Sequence, residues 1–135
     1  MHEPLRIGIA GLGTVGASVA RLLNAKSNSL THKCGRAIMV TGVSARDRSK
    51  DRGIDLTGVE WFDTPSALAA SDKIDVFVEL VGGSNGAALD GIRTALENGR
   101  HVVTANKALL AEHGLELALV AEEKGLILNY EAAVA

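Results

Sequence analysis

One cysteine, Cys34, stands in a chain of 135 residues. That count excludes an internal disulfide and fits a reducing compartment. Cys34 falls in a polar loop and reads as inert. The four histidines, His2, His32, His101 and His113, show no ligand spacing, which argues against a metal site of nitrogen and sulfur ligands. Aromatic residues make up only 3%, and Trp61 and Phe62 read as core or edge packing, not as stacking platforms for bases. Charge of one sign is lacking too: 14 basic residues face 16 acidic ones, a formal charge of −2. Nothing in that balance favours nucleic acid or an anionic membrane as partner. No apolar run approaches the ~20 residues of a membrane span. The N-terminus, Met1 to Arg6, runs into a short apolar stretch that stops at Gly11. It has neither the apolar core nor the cleavage pattern of a signal peptide, so the cytoplasm is the expected compartment. Proline is scarce, with two residues, while glycine is abundant, with fifteen.

What is present is a globular composition, 47% hydrophobic and 22% charged. The length suits one domain, and a chain of this size buries roughly two-thirds of its unfolded surface. Short apolar runs alternate with amphipathic stretches. Strands are expected at 5–10, 37–43, 60–62, 74–81, 101–104 and 126–130. Helices are expected at 14–24, from Pro65 with Asp63 or Thr64 as cap, at 87–98 and at 107–124. Gly99 and Gly125 stop the last two, and the pair His113-Gly114 predicts a break inside the fourth. Apolar strands interleaved with helices imply a doubly wound, mostly parallel α/β sheet with helices on both faces. The chain ends abruptly in small apolar residues, Glu131 to Ala135, as a piece of a longer protein would.

Gly11-Leu12-Gly13-Thr14-Val15-Gly16 is a G-x-G-x-x-G between the first strand and the first helix, the context the motif requires. Gly11 permits a tight turn, Gly13 lets a pyrophosphate reach the backbone, and Gly16 lets helix and strand pack. The N–H groups near Thr14 and Val15 then face the phosphates, helped by the helix dipole. The second strand ends Val43-Ser44-Ala45-Arg46. An acid for the ribose 2′-hydroxyl is missing there, and Arg46, with Arg48 and Lys50 behind it, suits a 2′-phosphate. NADP is therefore favoured. NAD stays open, because a slightly shifted strand end would put Asp47 on the ribose.

Ligands of an open α/β sheet sit beyond the carboxyl ends of the strands. The fourth strand ends Glu79-Leu80-Val81-Gly82-Gly83, where Gly82 and Gly83 allow close approach of a cofactor. Glu79 is an acid in an apolar strand and needs a partner; backbone N–H groups of a neighbouring loop are favoured over a ligand. The fifth strand ends Val103-Thr104-Ala105-Asn106-Lys107. Thr104 is a candidate cofactor contact. Lys107 is a cation at a helix start, where the dipole disfavours it, which suggests use on a substrate carboxylate or a proton. Glu131 puts another acid on the same rim.

The glycine loop, Asp75 to Gly83 (DVFVELVGG), His101 to Leu109 (HVVTANKAL) and Tyr130 to Val134 (YEAAV) together resemble the N-terminal cofactor domain of homoserine dehydrogenases. The likeness runs from about Leu5 onward. It implies a Rossmann-type fold and reversible reduction of aspartate 4-semialdehyde to homoserine with NADPH or NADH. It also implies cofactor contacts from Leu12, Thr14 and Val15, a 2′-phosphate contact from Arg46, and a catalytic role for Lys107 near nicotinamide and substrate. Glu131 and Val134 match the start of a sodium-binding loop of the family. On this resemblance the residues that in the family carry substrate binding and homo-oligomer contacts are expected to lie in a domain outside these 135 residues, so this stretch alone is expected to bind cofactor without turnover. Two other readings stand beside this one: another semialdehyde-pathway reductase, and a regulatory domain that senses a dinucleotide without chemistry.

Overall fold

The computed structural model describes residues 4–12, 19, 37–45, 58–81 and 86–130. In chain order these form β1 (Leu5–Ala10), β2 (Ile38–Ser44), β3 (Glu60–Phe62), α1 (Pro65–Ala70), β4 (Val76–Glu79), α2 (Ala87–Glu97), β5 (His101–Thr104), α3 (Lys107–Glu123) and β6 (Leu128–Tyr130). The strands make one six-stranded sheet in the order β3-β2-β1-β4-β5-β6. Every pairing is parallel. The expected doubly wound sheet is therefore present, and it is wholly parallel where a mostly parallel one was expected.

Each strand sends alternate residues to opposite faces. Phe77 and Val102, paired in register, lie on one face. There they meet Leu68 of α1, Ile92 and Leu96 of α2, and Leu109 and Leu117 of α3 in a single cluster. On the other face Ile7 and Ile9 join Val40, Val43 and Leu12. Val19, a helical residue of the segment between β1 and β2, packs against that second cluster. The first face explains a glycine inside β2. A Cβ at Gly42 would stand 2.7 Å from Leu68 Cδ1, closer than real contacts allow, so the missing side chain lets α1 lie on the sheet.

Local chemistry sets the helix ends. Thr64 Oγ1 accepts from the Ala67 N–H at 3.1 Å, and Pro65 opens α1, as the sequence suggests. The helices α2 and α3 close in the same way. Gly99 N–H donates to Leu96 O at 3.2 Å and Arg100 N–H to Ala95 O at 2.9 Å. Gly125 N–H donates to Glu122 O at 3.1 Å and Leu126 N–H to Ala121 O at 2.8 Å. These paired bonds satisfy carbonyls that a helix C-terminus would otherwise leave open. At the amino-terminal ends of the central strands β1 and β4, Arg6 grips Asp75 with its backbone N–H and its guanidinium, at 2.9 to 3.2 Å. That pair is partly exposed and contributes modestly.

Three expectations are corrected. The helix α3 runs unbroken from Lys107 to Glu123; Leu109, Leu117 and Ala121 are buried on either side of His113-Gly114, and their packing holds the helix through the weak point. The strand β4 covers only Val76–Glu79, because Leu80 and Val81 already turn into the segment beyond it. The strand β6 begins at Leu128, since Leu126 closes α3.

Candidate functional site

In the order β3-β2-β1-β4-β5-β6 the chain runs outward from β1 on one side and from β4 on the other. The reversal lies between β1 and β4, and in open α/β sheets a crevice forms there beyond the carboxyl ends of the strands. Gly11 occupies the end of β1. Its φ of +99° lies in a region that disfavours side chains. A Cβ would also stand 2.8 Å from the Leu80 carbonyl carbon and oxygen and 3.0 Å from Val81 N. Two independent constraints thus require glycine here. Gly11 N–H donates to Ser44 O at 2.8 Å, and Leu80 N–H donates to Ala10 O at 2.8 Å, so the ends of β2, β1 and β4 are held together.

The buried polar side chains among the described residues belong to Ser44, Glu79, Thr104 and Asn106. All four lie at the carboxyl ends of β2, β4 and β5. Glu79 is 0% exposed and splits its carboxylate between two segments. Oε2 accepts from the Val81 N–H at 2.7 Å, and Oε1 accepts from Thr104 Oγ1 at 2.7 Å. The same threonine oxygen accepts from the Asn106 N–H at 3.0 Å. Asn106 caps α3, its Oδ1 accepting from the Leu109 N–H at 3.0 Å. Charge-assisted bonds of this kind offset the cost of burying a carboxylate.

Lys107 is the first residue of α3 and is exposed. It makes no ion pair among the described residues. The structure therefore puts an ammonium without an ion pair among the described residues at a helix start, next to the buried network. Leu12 is 4% exposed and joins the core beside Ile9 and Val43, so its side chain serves packing. Thr104 is fully buried, with its hydroxyl engaged by Glu79 and Asn106. Gly13, Thr14, Val15, Gly16, Arg46, Gly82, Gly83, Glu131, Val134 and Cys34 lie outside the described residues. Trp61 and Phe62 are partly buried and pack against the two core clusters, as expected of edge-strand aromatics. Among the described residues no three His, Cys, Asp or Glu side chains gather to hold a metal. No described helix is long and apolar enough to cross a membrane.

Asn106 is the residue that sequence reasoning missed. Its signal was present: an asparagine directly before a helix is a strong N-cap. The partnership of Glu79 with Thr104 was half legible. Val81 N–H is a loop donor of the kind expected for Glu79, but the threonine hydroxyl becomes visible only once β4 and β5 are in register.

The reversal of strand order between β1 and β4 and the positive-φ glycine at the end of β1 suit a nicotinamide dinucleotide. Comparison with known proteins agrees. The profile described as homoserine dehydrogenase, NAD binding domain, matches residues 11–131. The homoserine dehydrogenase of Pseudomonas aeruginosa is 42% identical over 135 residues, spanning 98% of this chain and 30% of that protein. That of Bacillus subtilis is 34% identical over 133 residues, again with 98% of this chain and 30% of the relative. A crystal structure of the Staphylococcus aureus homoserine dehydrogenase superposes with a TM-score of 0.88 at 35% identity, covering 100% of this chain and 33% of its own. The Thiobacillus denitrificans enzyme gives 0.87 at 36%, covering 98% of this chain and 30% of its own. The chain thus spans about a third of the length of these relatives. It belongs to the homoserine dehydrogenase family and corresponds to the NAD-binding domain of that family.

Proposed function

We infer that this domain binds NADP(H) for the interconversion of L-homoserine and L-aspartate 4-semialdehyde, a step that feeds threonine, methionine and isoleucine synthesis. The observation that carries the reading is the junction at β1 and β4. Gly11, at positive φ at the end of β1, opens a G-x-G-x-x-G in the sequence, and Lys107, without an ion pair among the described residues, starts α3 at the same carboxyl side of the sheet. A bound nicotinamide supplies or accepts the hydride. The chain's own residues do the rest, which is binding, orientation and charge. Backbone N–H groups from Leu12 to Val15 bind the pyrophosphate, with Gly13 leaving room and Gly16 letting the helix approach. Leu12 contributes its backbone, since its side chain belongs to the core. Arg46 takes the 2′-phosphate, and its guanidinium is the reason NADP is preferred to NAD. Gly82 and Gly83 let the cofactor approach the end of β4. Lys107 Nζ pairs with a substrate carboxylate or carries a proton. Thr104 supports the site through Glu79 and Asn106.

Glu131 and Val134 would contribute to a sodium-binding loop beyond β6. The enzyme acts in the cytoplasm as a homo-oligomer assembled through a substrate domain outside this chain. The test is steady-state oxidation of homoserine by the full-length protein with NADP⁺ and with NAD⁺. Turnover with a lower KM for NADP⁺ is expected. Tight dinucleotide binding with no turnover on homoserine would favour a sensor or a reductase of another substrate.

A further inference from the structure

The buried polar groups of the described core are concentrated at one edge of the sheet. Ser44, Glu79, Thr104 and Asn106 all stand at strand ends on the ligand side. At the opposite ends of the strands the polar contacts among the described residues, such as Arg6–Asp75 and Lys73–Glu60, are partly exposed. Polar burial costs stability, and proteins accept such local conflicts mainly where function requires them. A leucine or methionine at position 79 would suit the face that holds Phe77 and Val102. A carboxylate there needs another reason.

We propose that Glu79 is a positioning residue for the nicotinamide end of the cofactor site, coupling the segment after β4 to the start of α3. The inference rests on the dinucleotide reading above. Three links carry it. Oε2 holds the Val81 N–H at 2.7 Å, and Val81 N is among the atoms that leave no room for a Cβ at Gly11, 3.0 Å from where one would stand. Oε1 holds Thr104 Oγ1 at 2.7 Å, and Thr104 is the direct register partner of Glu79 in β5. Thr104 Oγ1 in turn holds the Asn106 N–H at 3.0 Å, and Asn106 caps α3 on Leu109. Lys107 sits between those two residues. One carboxylate therefore governs both the backbone beside the glycine turn and the backbone that carries the rim lysine. The main chain reinforces it, since Ala105 N–H donates to Glu79 O at 3.3 Å.

The chemistry demands an acid. Among the described residues two donors converge on the side chain from different segments, a backbone N–H and a hydroxyl. A carboxylate accepts both at once. A glutamine of the same shape has one acceptor and one donor end. Either its amide group opposes the Val81 N–H, or the Thr104 hydroxyl must reverse and lose its acceptor. The shape survives and one link fails. Glu79 acts without touching the reacting atoms; it fixes how the nicotinamide end and Lys107 lie relative to each other, where a misplacement of about 1 Å costs on the order of a hundredfold.

The test compares Glu79→Gln, Thr104→Val and Thr104→Ser in the full-length protein. Two quantities are read. The first is the affinity for ADP-ribose, with and without the 2′-phosphate, which engages only the glycine-loop half. The second is the gain in affinity that the nicotinamide adds, taken as the ratio of the Kd for 2′-phospho-ADP-ribose to that for NADPH, together with kcat. Glu79→Gln and Thr104→Val should leave fragment affinity within about twofold while the ratio and kcat fall about tenfold or more. Thr104→Ser, which keeps the hydroxyl, should recover most of the loss. Loss of fragment and NADPH affinity in proportion would overturn the proposal and make Glu79 a fold residue, as would no change in either quantity. If Glu79→Gln does not fold, the two threonine variants make the same comparison. Failure of the wild type to bind any of these ligands would overturn the dinucleotide reading itself.

Discussion

Glu79 and Thr104 are direct neighbours across β4 and β5, and the threonine hydroxyl donates to the carboxylate at 2.7 Å with both side chains fully shielded from water. Parallel strands bring residues 25 positions apart into this contact. The bond closes the sheet at the edge where a ligand would sit.

Replacing Thr104 with valine keeps the shape and removes the hydroxyl. Glu79 Oε1 and the Asn106 N–H then lose their shared partner in a dry site. The loss should be about 2–4 kcal/mol of folding stability, the scale of two unsatisfied buried groups. Thr104→Ser keeps the oxygen and forfeits one methyl, so about 1 kcal/mol is expected. Denaturant unfolding of the two variants checks the order: equal losses would show that the hydroxyl is idle.

Gly11→Ala meets two penalties together. The φ of +99° disfavours a side chain, and the new Cβ would press on the Leu80 carbonyl at 2.8 Å. We expect a loss of about 2–5 kcal/mol and loss of dinucleotide binding with it. Gly13→Val should behave differently, abolishing binding by filling the pyrophosphate position while the fold persists. Melting curves beside calorimetric titration separate the two. A Gly11→Ala variant as stable as the parent would contradict the geometry of the turn.

Much of this architecture was legible in the chain. The bounds of β1 and β5 follow from short apolar runs ended by Gly11 and by the polar Thr104-Ala105-Asn106 stretch. The start of α1 follows from Thr64-Pro65. The ends of α2 and α3 follow from Gly99 and Gly125. What failed to show depended on tertiary contacts. Nothing local says that α3 continues past His113-Gly114; burial of Leu109 and Leu117 on either side decides it. Nothing local says that Leu80 leaves the strand; the grip of Glu79 on Val81 decides it. Nothing local says that the Thr104 hydroxyl meets Glu79; their register across β4 and β5 decides it. Among the described residues, the places of Glu79 and Thr104 at strand ends and of Lys107 at a helix start were readable, and the hydrogen bonds linking Glu79, Thr104 and Asn106 were not.

The continuity of α3 yields a prediction of opposite sign. Gly114 lies in its interior, where a Cβ would make only an ordinary 3.7 Å contact with Leu110. Gly114→Ala should therefore stabilise the protein by about 0.5–1 kcal/mol through helix propensity and a less flexible unfolded chain. A lower melting temperature would show that this part of α3 needs its glycine.

The proposed preference for NADP rests on Arg46. If Arg46 holds the 2′-phosphate, Arg46→Asp removes that partner and adds repulsion, so NADPH should weaken by more than NADH. The ratio of the two dissociation constants is the quantity to measure. An unchanged ratio would remove Arg46 from the site.

Lys107 carries the central claim, that the start of α3 faces the reacting end of a bound nicotinamide and its substrate. The residue is exposed, heads a helix and forms no ion pair among the described residues. A cation at that place costs the helix a few tenths of a kcal/mol, about the magnitude of a dipole interaction at an exposed terminus. Lys107→Ala in the full-length protein should therefore lower kcat/KM for homoserine oxidation by roughly a hundredfold or more. The melting temperature of the same preparation should be unchanged or slightly higher. Turnover close to that of the parent would contradict the claim, and so would lost turnover accompanied by a large drop in melting temperature.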